Sequence, residues 1–477
     1  MEVANGPFDP LQGLPIGSLG GEQRRRPGEH WAVVIQSPVI QVTYVQTRTQ
    51  RCLRSPTLEE WSRFRVYAQR MTRLDASQDE GVPSDDILHL INLDRSSGEQ
   101  FVPKLQHLTW TTSRTYLPWL HLLLSPSLSG IHIDLNGGRL APVNVAVIKA
   151  IPTVRLRHIA FSTLRVNNEV DAALLGLVFK AKLLKSIYIQ QENTVEGASL
   201  RTGEADGERD RIKLDYLTSI IMGFNNDAAF LHDFFGGTTL PNIQQVFLKH
   251  SGRAEWLGAD KLFDCMLGSA SPSALHSLRY ISIHHGIDIV SAKIQPLQSY
   301  TALKTLRVTS SCNVSRCKFF LSDDDISTIA LAMPNLVDLF LGGVPCNSAL
   351  VNVSIDGLAT LSANCTNLTE LQIHFDTAGF INRALDTSGT HAAPAQLTQS
   401  SSRLTQLHVG RIPLSQGMDG YWTIGMALLR IFPKLKNIKS HQQLFGAGDW
   451  GEVMRVVEVQ RNVTRLLKSA SNPRPSI

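Results

Sequence analysis

Histidines come nearest, by type and spacing, to a metal-binding or reactive site in this chain. His284 and His285 are adjacent, and His374 and His408 lie in later segments, so the four would be neighbours if these segments were strands of one sheet. Imidazole nitrogens are common ligands of transition metals. No carboxylate or cysteine stands at ligand spacing beside them, which favours solvated or hydrogen-bonded histidines over a metal site.

Three consecutive carboxylates and six cysteines are the next reactive groups. Asp323, Asp324 and Asp325 could suggest a cation site, but acids in the first turn of a helix stabilise its positive end and explain the run better. No two cysteines are spaced as Cys-x-x-Cys, and Cys312 and Cys317 are too isolated to build a site alone. We therefore expect free thiols in a reducing compartment.

Three motifs of common enzyme sites do not occur in the sequence. It contains no P-loop, no Gly-x-Ser-x-Gly elbow and no His-Glu-x-x-His. We predict no catalytic residue, no metal ligand and no bound cofactor, and hence a protein that is not an enzyme.

The composition favours a folded chain over a disordered or nucleic-acid-binding one. Of the 477 residues, 43% are hydrophobic and 18% charged, and the net charge of +5 is too dilute to indicate nucleic acid. The run Arg24-Arg25-Arg26 is interpreted as a solvated tail. The most apolar stretch, residues 117–124, is far shorter than the ~20 residues that span a bilayer, and no signal peptide is visible. We expect an intracellular protein of the cytoplasm, the nucleus or both, without nucleic-acid or membrane partners.

A phrase of apolar residue, Pro, Asn or Lys, then Leu or Ile recurs along the chain and is followed by the pattern L-x-x-L-x-L. The phrase occupies residues 102–105, 240–243, 333–336 and 432–435. The pattern occurs ten times and once in part, with a mean step of 33 residues. Its occurrences begin at Leu105, Leu128, Leu156, Leu184, Ile243, Leu278, Leu303, Leu336, Leu368 and Leu404, and the partial one at Leu435.

This spacing predicts an α/β leucine-rich-repeat solenoid. The last two apolar residues of the pattern are two apart, so both lie on one face of a short strand. A single strand cannot bury that face alone, whereas stacked repeats form a continuous sheet with a shared core. We predict about 11 to 12 repeats in a horseshoe, with parallel strands on the concave side and helical returns outside.

The return helices and the ends of the repeat region are predicted from capping and periodicity. Helices are expected after Ser322, from Ile355, over residues 169–181 and over residues 423–432. The expected order along the chain is a mostly disordered segment 1–55, a helical cap 56–100, the solenoid 101–445, a capping helix 446–468 and a disordered tail 469–477. Flexible insertions in the solenoid are expected near residues 192–211 and 386–402. A degenerate repeat is expected near residues 214–222.

If the chain binds a partner, the outward positions of the strands should do it. Aromatic residues beside Lys, Arg and His on a sheet surface are typical of protein-binding hot spots. Each residue taken alone is more simply an ordinary surface side chain, so the prediction concerns the set. The candidate positions are Tyr188, Gln190, Phe247, Lys249, Ser282, His284, Arg307, Phe340, Gln372, His374 and His408.

The chain resembles fungal F-box and leucine-rich-repeat proteins in three stretches. These are residues 56–64, residues 321–341 and residues 358–373, the last including Cys365-Thr366-Asn367-Leu368. The resemblance implies that the repeats hold a substrate while an F-box holds the adaptor of a cullin-type ubiquitin ligase. Residues 1–55 contain Leu14-Pro15, the start expected of an F-box, without the Ile/Leu-rich helices that should follow it.

Two hypotheses of function therefore stay open at the level of sequence. One is a substrate-recognition subunit of a cullin-type ligase, with a protein substrate as its partner and, if an F-box exists upstream, a ligase adaptor as well. The other is a stand-alone leucine-rich-repeat scaffold without a ligase connection. An enzyme with an uncommon site is the third and least supported alternative.

Overall fold

The fold is described from a computed structural model, which carries no ligand or partner chain. The residues that it describes are 35–36, 39–40, 58–76, 100–111, 117–134, 141–164, 168–191, 211–224, 229–251, 259–282, 289–290, 295–310, 319–342, 353–377, 379, 402–409, 418–440 and 448–471. His284, His285, most of the segment 1–55, nearly all of both insertions and the end of the tail lie outside these residues.

One parallel sheet of 13 strands runs through the described chain, and each strand pairs with the next in sequence order. In chain order these strands are β1 Arg73–Ala76, β2 His107–Thr111, β3 Gly130–Asp134, β4 His158–Leu164, β5 Ser186–Gln191, β6 Ser219–Phe224, β7 Gln245–His250, β8 Ser277–Ser282, β9 Thr305–Ser310, β10 Asp338–Leu341, β11 Glu370–Gln372, β12 Gln406–Val409 and β13 Asn437–Ser440. Three two-stranded pairs lie apart from it, at residues 35–40, 212–239 and 289–320.

Helices return the chain from most strands to the next. The α-helices are α1 Leu58–Ala68, α2 Ala141–Ala150, α3 Asn168–Lys180, α4 Ala229–Gly236, α5 Ala259–Ser269, α6 Asp323–Ala332, α7 Ile355–Asn364, α8 Met418–Ile431 and α9 Gly448–Ser471, with 3-10 helices at Leu117–Leu123 and Gln295–Ser299. Their apolar residues join those of the strands in one buried cluster. The architecture is that of a leucine-rich-repeat solenoid, as the spacing of the leucines predicts.

The strand pattern buries alternate residues, and a backbone ladder aligns the repeats. In β7, for example, Val246 and Leu248 are almost fully buried, whereas Phe247 between them is partly exposed. Just before each strand, one carbonyl accepts two N–H groups from the following repeat; that of Lys304 accepts from Val337 at 2.7 Å and Asp338 at 3.1 Å. The same pair of hydrogen bonds to one carbonyl recurs from β1 to β13 and holds all strand starts in register.

The acids at residues 323–325 form a helix N-terminus, as predicted. Ser322 caps α6 in a capping box with Asp325. The Asp323 carboxylate accepts two hydrogen bonds from the next repeat, from the Ser354 N–H at 2.7 Å and its hydroxyl at 2.6 Å. These carboxylates therefore stabilise a helix end and join two repeats.

Asparagine in the Pro-Asn phrase has a visible structural role. Asn242 Nδ2 donates to the carbonyl of Asp215 at 2.7 Å, and Asn335 Nδ2 donates to that of Thr301 at 3.3 Å. Each bond links a turn to the corresponding turn of the preceding repeat. In these two of the four occurrences, the asparagine of the phrase therefore makes the same inter-repeat bond.

The sheet has more strands than the 11 to 12 repeats predicted. The additional strand is β1, whose pattern runs from Met71 through Leu74 to Ala76. The degenerate repeat near residues 214–222 forms β6, as expected.

One predicted register is wrong. The pattern assigned from Leu278 begins three residues earlier, at Leu275, and ends at Tyr280, because β8 buries Leu278, Tyr280 and Ser282. Tyr280 takes the place of the usual aliphatic residue.

The last helix, α9, lies against the last complete repeat. Trp450, Val453 and Val457 are buried, and the Trp450 ring lies 6.1 Å from that of Phe375. A Cβ on Gly425 in α8 would lie 2.9 Å from Val456, so the two helices touch closely. Within the described part of the chain, no helix is long and apolar enough to cross a membrane.

Candidate protein-binding face

The face of the sheet that the helices do not cover, called the open face, carries aligned rows of side chains. The middle row consists of the residues between the two buried positions of each strand. Parallel pairing places them side by side, about 4.8 Å apart from strand to strand. From β4 to β13 this row reads Ala160, Tyr188, Ile221, Phe247, Arg279, Arg307, Phe340, Gln372, His408 and Lys439.

Three apolar side chains follow one another at the centre of this row. Tyr188, Ile221 and Phe247 lie in register on β5, β6 and β7, and each is half-buried. The Tyr188 hydroxyl donates to Gln190 Oε1 at 2.7 Å. We call these three residues the apolar strip. A rigid run of aromatic and branched side chains presents apolar area at low entropic cost, as hot spots do.

Further along the row, an arginine is neutralised by its own neighbours. Arg307 Nη2 lies 3.3 Å from a carboxylate oxygen of Asp338 and 3.3 Å from one of Glu370. Its guanidinium carbon lies 4.1 Å from the centre of the Phe340 ring, which in turn lies 5.1 Å from the His408 ring. We call these five residues the arginine cluster. Two carboxylates and an aromatic face neutralise this cation, although its buried Nε has no hydrogen-bond partner among the described residues.

Three histidines lie on consecutive strands at the other end of the open face. His107 on β2 reaches over Gly130, where a Cβ would lie 2.7 Å from its Nδ1. His132 Nε2 lies 3.0 Å from Ser162 Oγ, and His158 Nδ1 lies 2.9 Å from Ser186 Oγ. We call His107, His132 and His158 the histidine patch. Each imidazole contacts a residue of the next strand, so the patch gives this part of the open face a polar surface.

Burial lowers the pKa of both His107 and His158. Nearby cations add to the effect: Arg73 beside His107, and then His107, Lys185 and Arg157 beside His158. Both imidazoles are therefore held neutral at pH 7, where each offers one N–H donor.

The structure separates the predicted binding residues into three groups. Tyr188, Gln190, Phe247, Lys249, Arg307 and His408 are at least partly exposed. Phe340, Gln372 and His374 are 7%, 6% and 2% exposed, and Ser282, at 1%, belongs to the buried face of β8. His284 lies outside the described residues. Gln372 donates to the Gly342 carbonyl at 3.3 Å, so its amide is used internally.

Several open-face residues were not foreseen from the sequence. Arg279 was missed because the register of β8 was shifted, and Ile221 because its repeat is degenerate. Asp338 and Glu370 stand two residues before the predicted positions Phe340 and Gln372. His107 and His158 likewise stand two residues before the middle row, and His132 lies in that row. The same period of two, extended one step towards the strand start, would have found Asp338 and Glu370.

The described residues do not bring together a metal or thiol site. No group of three or more His, Cys, Asp or Glu in the described ranges could hold a metal ion. Burial raises the pKa of the Cys365 thiol to about 12, and its sulfur lies 3.6 Å from the Met333 carbonyl. This cysteine is a packing residue of the core.

A Gly-x-Gly-x-x-Gly sequence occurs at residues 446–451, where α9 begins. In dinucleotide-binding folds the third glycine permits close helix–strand packing. A Cβ on Gly451 would meet no atom within 4 Å, and the Trp450 ring packs against Phe375. The segment does not have the packing that this motif requires.

Comparisons with known proteins leave the family open. No protein-family model matches the chain, and no curated protein matches its sequence. A solved structure described as the crystal structure of the Rad7 and Elc1 complex in yeast is similar, with a TM-score of 0.37 and 14% identity. That similarity covers 71% of this chain and 76% of the other. The fold assignment rests on the chain's own sheet of 13 strands.

Proposed function

We propose that this chain is a non-enzymatic protein-binding repeat protein that receives its partner on the open face. The observation that carries the proposal is the apolar strip, in which Tyr188, Ile221 and Phe247 are aligned and half-exposed on adjacent strands. Arg279 and Lys249 border it and add positive charge at its edge. An apolar centre with a polar rim is the usual anatomy of a protein interface.

The proposal extends to a ubiquitin ligase. The resemblance of residues 56–64, 321–341 and 358–373 to F-box and leucine-rich-repeat proteins supports a role as the substrate-recognition subunit of a cullin-type ligase, acting in the cytoplasm or nucleus. The open face would hold the substrate, and the adaptor would bind elsewhere on the chain.

Affinity capture of the full chain from cells tests both parts, with Phe247→Ala as the informative variant. Truncating a hot-spot aromatic costs at least about 2 kcal/mol of binding, so we expect recovery of the partner to fall about thirtyfold. The matched control is Trp422→Ala, since Trp422 is an aromatic on helix α8 with 47% exposure. Equal recovery of the partner with both variants would show that the apolar strip is not part of the interface.

The ligase part is read from the same capture. An adaptor and a cullin that co-purify with both variants, together with slower turnover of the partner in cells lacking this chain, would support the ligase role. A partner captured without adaptor or cullin, and with unchanged turnover, would favour the stand-alone scaffold.

A further inference from the structure

Cations that form no ion pair with any described residue gather where strands β1 to β5 begin. All are exposed, and within the described ranges none of them forms an ion pair. We call this set the basic rim; it consists of Arg73, Lys104, Arg155, Arg157, Lys182 and Lys185. Cations this close repel one another, so the rim favours an anionic ligand.

The backbone ladder holds the rim on a rigid frame. The Arg157 carbonyl accepts the N–H of Lys185 at 2.6 Å and of Ser186 at 3.1 Å. The Lys185 carbonyl accepts in turn from Thr218 at 2.9 Å and Ser219 at 3.2 Å. Neighbouring strand starts are about 4.8 Å apart, so the rim spans about 20 Å from β1 to β5.

The histidine patch lies beside this rim. The pKa shifts of His107 and His158 show that Arg73, Arg157 and Lys185 lie within electrostatic reach of the two imidazoles. The histidine patch thus adds hydrogen-bonding groups beside the guanidinium and ammonium groups of the basic rim. Carboxylates suit this arrangement because they accept bonds from both, and bidentately from arginine.

We propose that the basic rim and the histidine patch hold an acidic segment of the protein partner. At about 3.3 Å per residue, an extended run of about six residues rich in Asp or Glu would cover the rim. The proposal rests on the proposed function, since it assigns a chemistry to one part of the protein partner. The apolar strip begins on β5, where the rim ends, so an apolar anchor following the acidic run would reach Tyr188.

The composition of the open face from β2 to β4 favours a polypeptide over a nucleic acid as the ligand. Proteins that bind single strands stack the bases on exposed aromatic rings. Among the residues of β2 to β4 whose exposure the structure describes, those on the open face are His107, Thr109, Gly130, His132, His158, Ala160 and Ser162, and none of them is a Phe, Tyr or Trp. Small polar side chains and imidazoles suit a peptide backbone and its carboxylates.

Binding of a fluorescein-labelled peptide of about eight glutamates to the full chain, followed by fluorescence anisotropy, tests the proposal. The test variant is R157E/K185E. The matched control is K304E/K436E, which makes the same change of charge at the equivalent, exposed positions before β9 and β13. Urea denaturation of both variants confirms that each is folded.

We expect the peptide to bind the wild-type chain, more weakly as salt rises from about 50 to about 200 mM. R157E/K185E should weaken binding at least about tenfold and K304E/K436E less than about twofold. No binding to the wild type, or equal losses in the two variants, would overturn the proposal. Tighter binding of a thymidine oligonucleotide of the same charge, lost in R157E/K185E, would also overturn it.

Failure here and failure of the proposed function are distinguishable. A chain that ignores the glutamate peptide but loses its partner with Phe247→Ala keeps the proposed function and rejects the acidic segment. If the chain binds the peptide through Arg157 and Lys185 but Phe247→Ala loses no partner, the acidic-segment proposal is kept and the apolar strip is rejected as the binding site.

Discussion

Arg307 in the arginine cluster and the cations of the basic rim lie in opposite electrostatic surroundings. From β9 to β12, Arg307 sits between two carboxylates and over an aromatic ring, and Phe340 and Gln372 beside it are almost fully buried. From β1 to β5, exposed cations such as Arg157 and Lys185 have no ionic partner among the described residues. The strands and their ladder are the same at both ends, so the difference comes from the side chains alone.

This contrast shows that an outward position on a strand is not by itself a binding position. In the arginine cluster the outward side chains already contact and neutralise one another, and a partner would have to displace them. In the basic rim and the apolar strip, charge and apolar area remain available to a partner. We therefore expect residues of the first region to govern stability and residues of the second to govern binding.

Two phenylalanines of the middle row should give the largest contrast. Phe340→Ala removes a buried ring and leaves a cavity, so we expect it to lower the free energy of unfolding by about 3 kcal/mol. Phe247→Ala removes a half-exposed ring and should lower it by about 1 kcal/mol. Urea denaturation of the two variants checks this difference. Equal losses would mean that both rings have the same structural role.

Charge reversal at two arginines should give the next largest effect. Arg307→Glu places a third carboxylate beside Asp338 and Glu370 and removes the cation from the Phe340 ring, so we expect a loss of stability of about 2 kcal/mol. Arg157 has no ionic partner among the described residues, so Arg157→Glu should change stability by less than about 0.5 kcal/mol. A stable Arg307→Glu variant would show that the arginine cluster contributes nothing to the fold.

The smallest expected effect is a dependence on pH at the histidine end. The folded chain holds the pKa of His107 and His158 below the ordinary value of 6.5, chiefly by burial. Below pH 6.5 the unfolded chain therefore binds more protons, and stability falls as pH decreases towards the folded pKa values. Their neutral forms impose no such penalty above pH 6.5.

The measurement is the urea midpoint at about pH 7.5 and about pH 5.5, on either side of the histidine pKa. H107N/H158N should lose less stability on acidification than the wild type. His121→Asn, at an exposed histidine, serves as the control. An acid-induced loss that is the same in all three proteins would contradict the coupling.

The sequence predicts the frame of this molecule better than its surface. Leu339 and Leu341 recur at a fixed spacing because every repeat must bury the same two positions, and this spacing is visible without a structure. The strand β1 was missed because its pattern ends in Ala76, and β8 was shifted because its pattern ends in Tyr280. Ala76 is smaller than the residue usual at this position, and Leu278, Ile281 and Ile283 match the same pattern three residues after the true start of β8.

The surface depends on register between distant repeats, which no local pattern contains. Arg307 meets Glu370, 63 residues away, only because β9, β10 and β11 align in one row. Arg157 and Lys185 meet no carboxylate among the described residues for the same kind of reason. The sequence alone does not show that Arg307 is neutralised while Arg157 and Lys185 are not, so the division of the open face could not be predicted.

The most direct test of this division is photo-crosslinking in cells with a photoreactive amino acid placed at Ile221 or at Lys439. Both positions belong to the middle row, one in the apolar strip and one on the last strand. The account predicts crosslinks to a partner protein from Ile221 and none from Lys439. Crosslinks from Lys439 with none from Ile221 would contradict it.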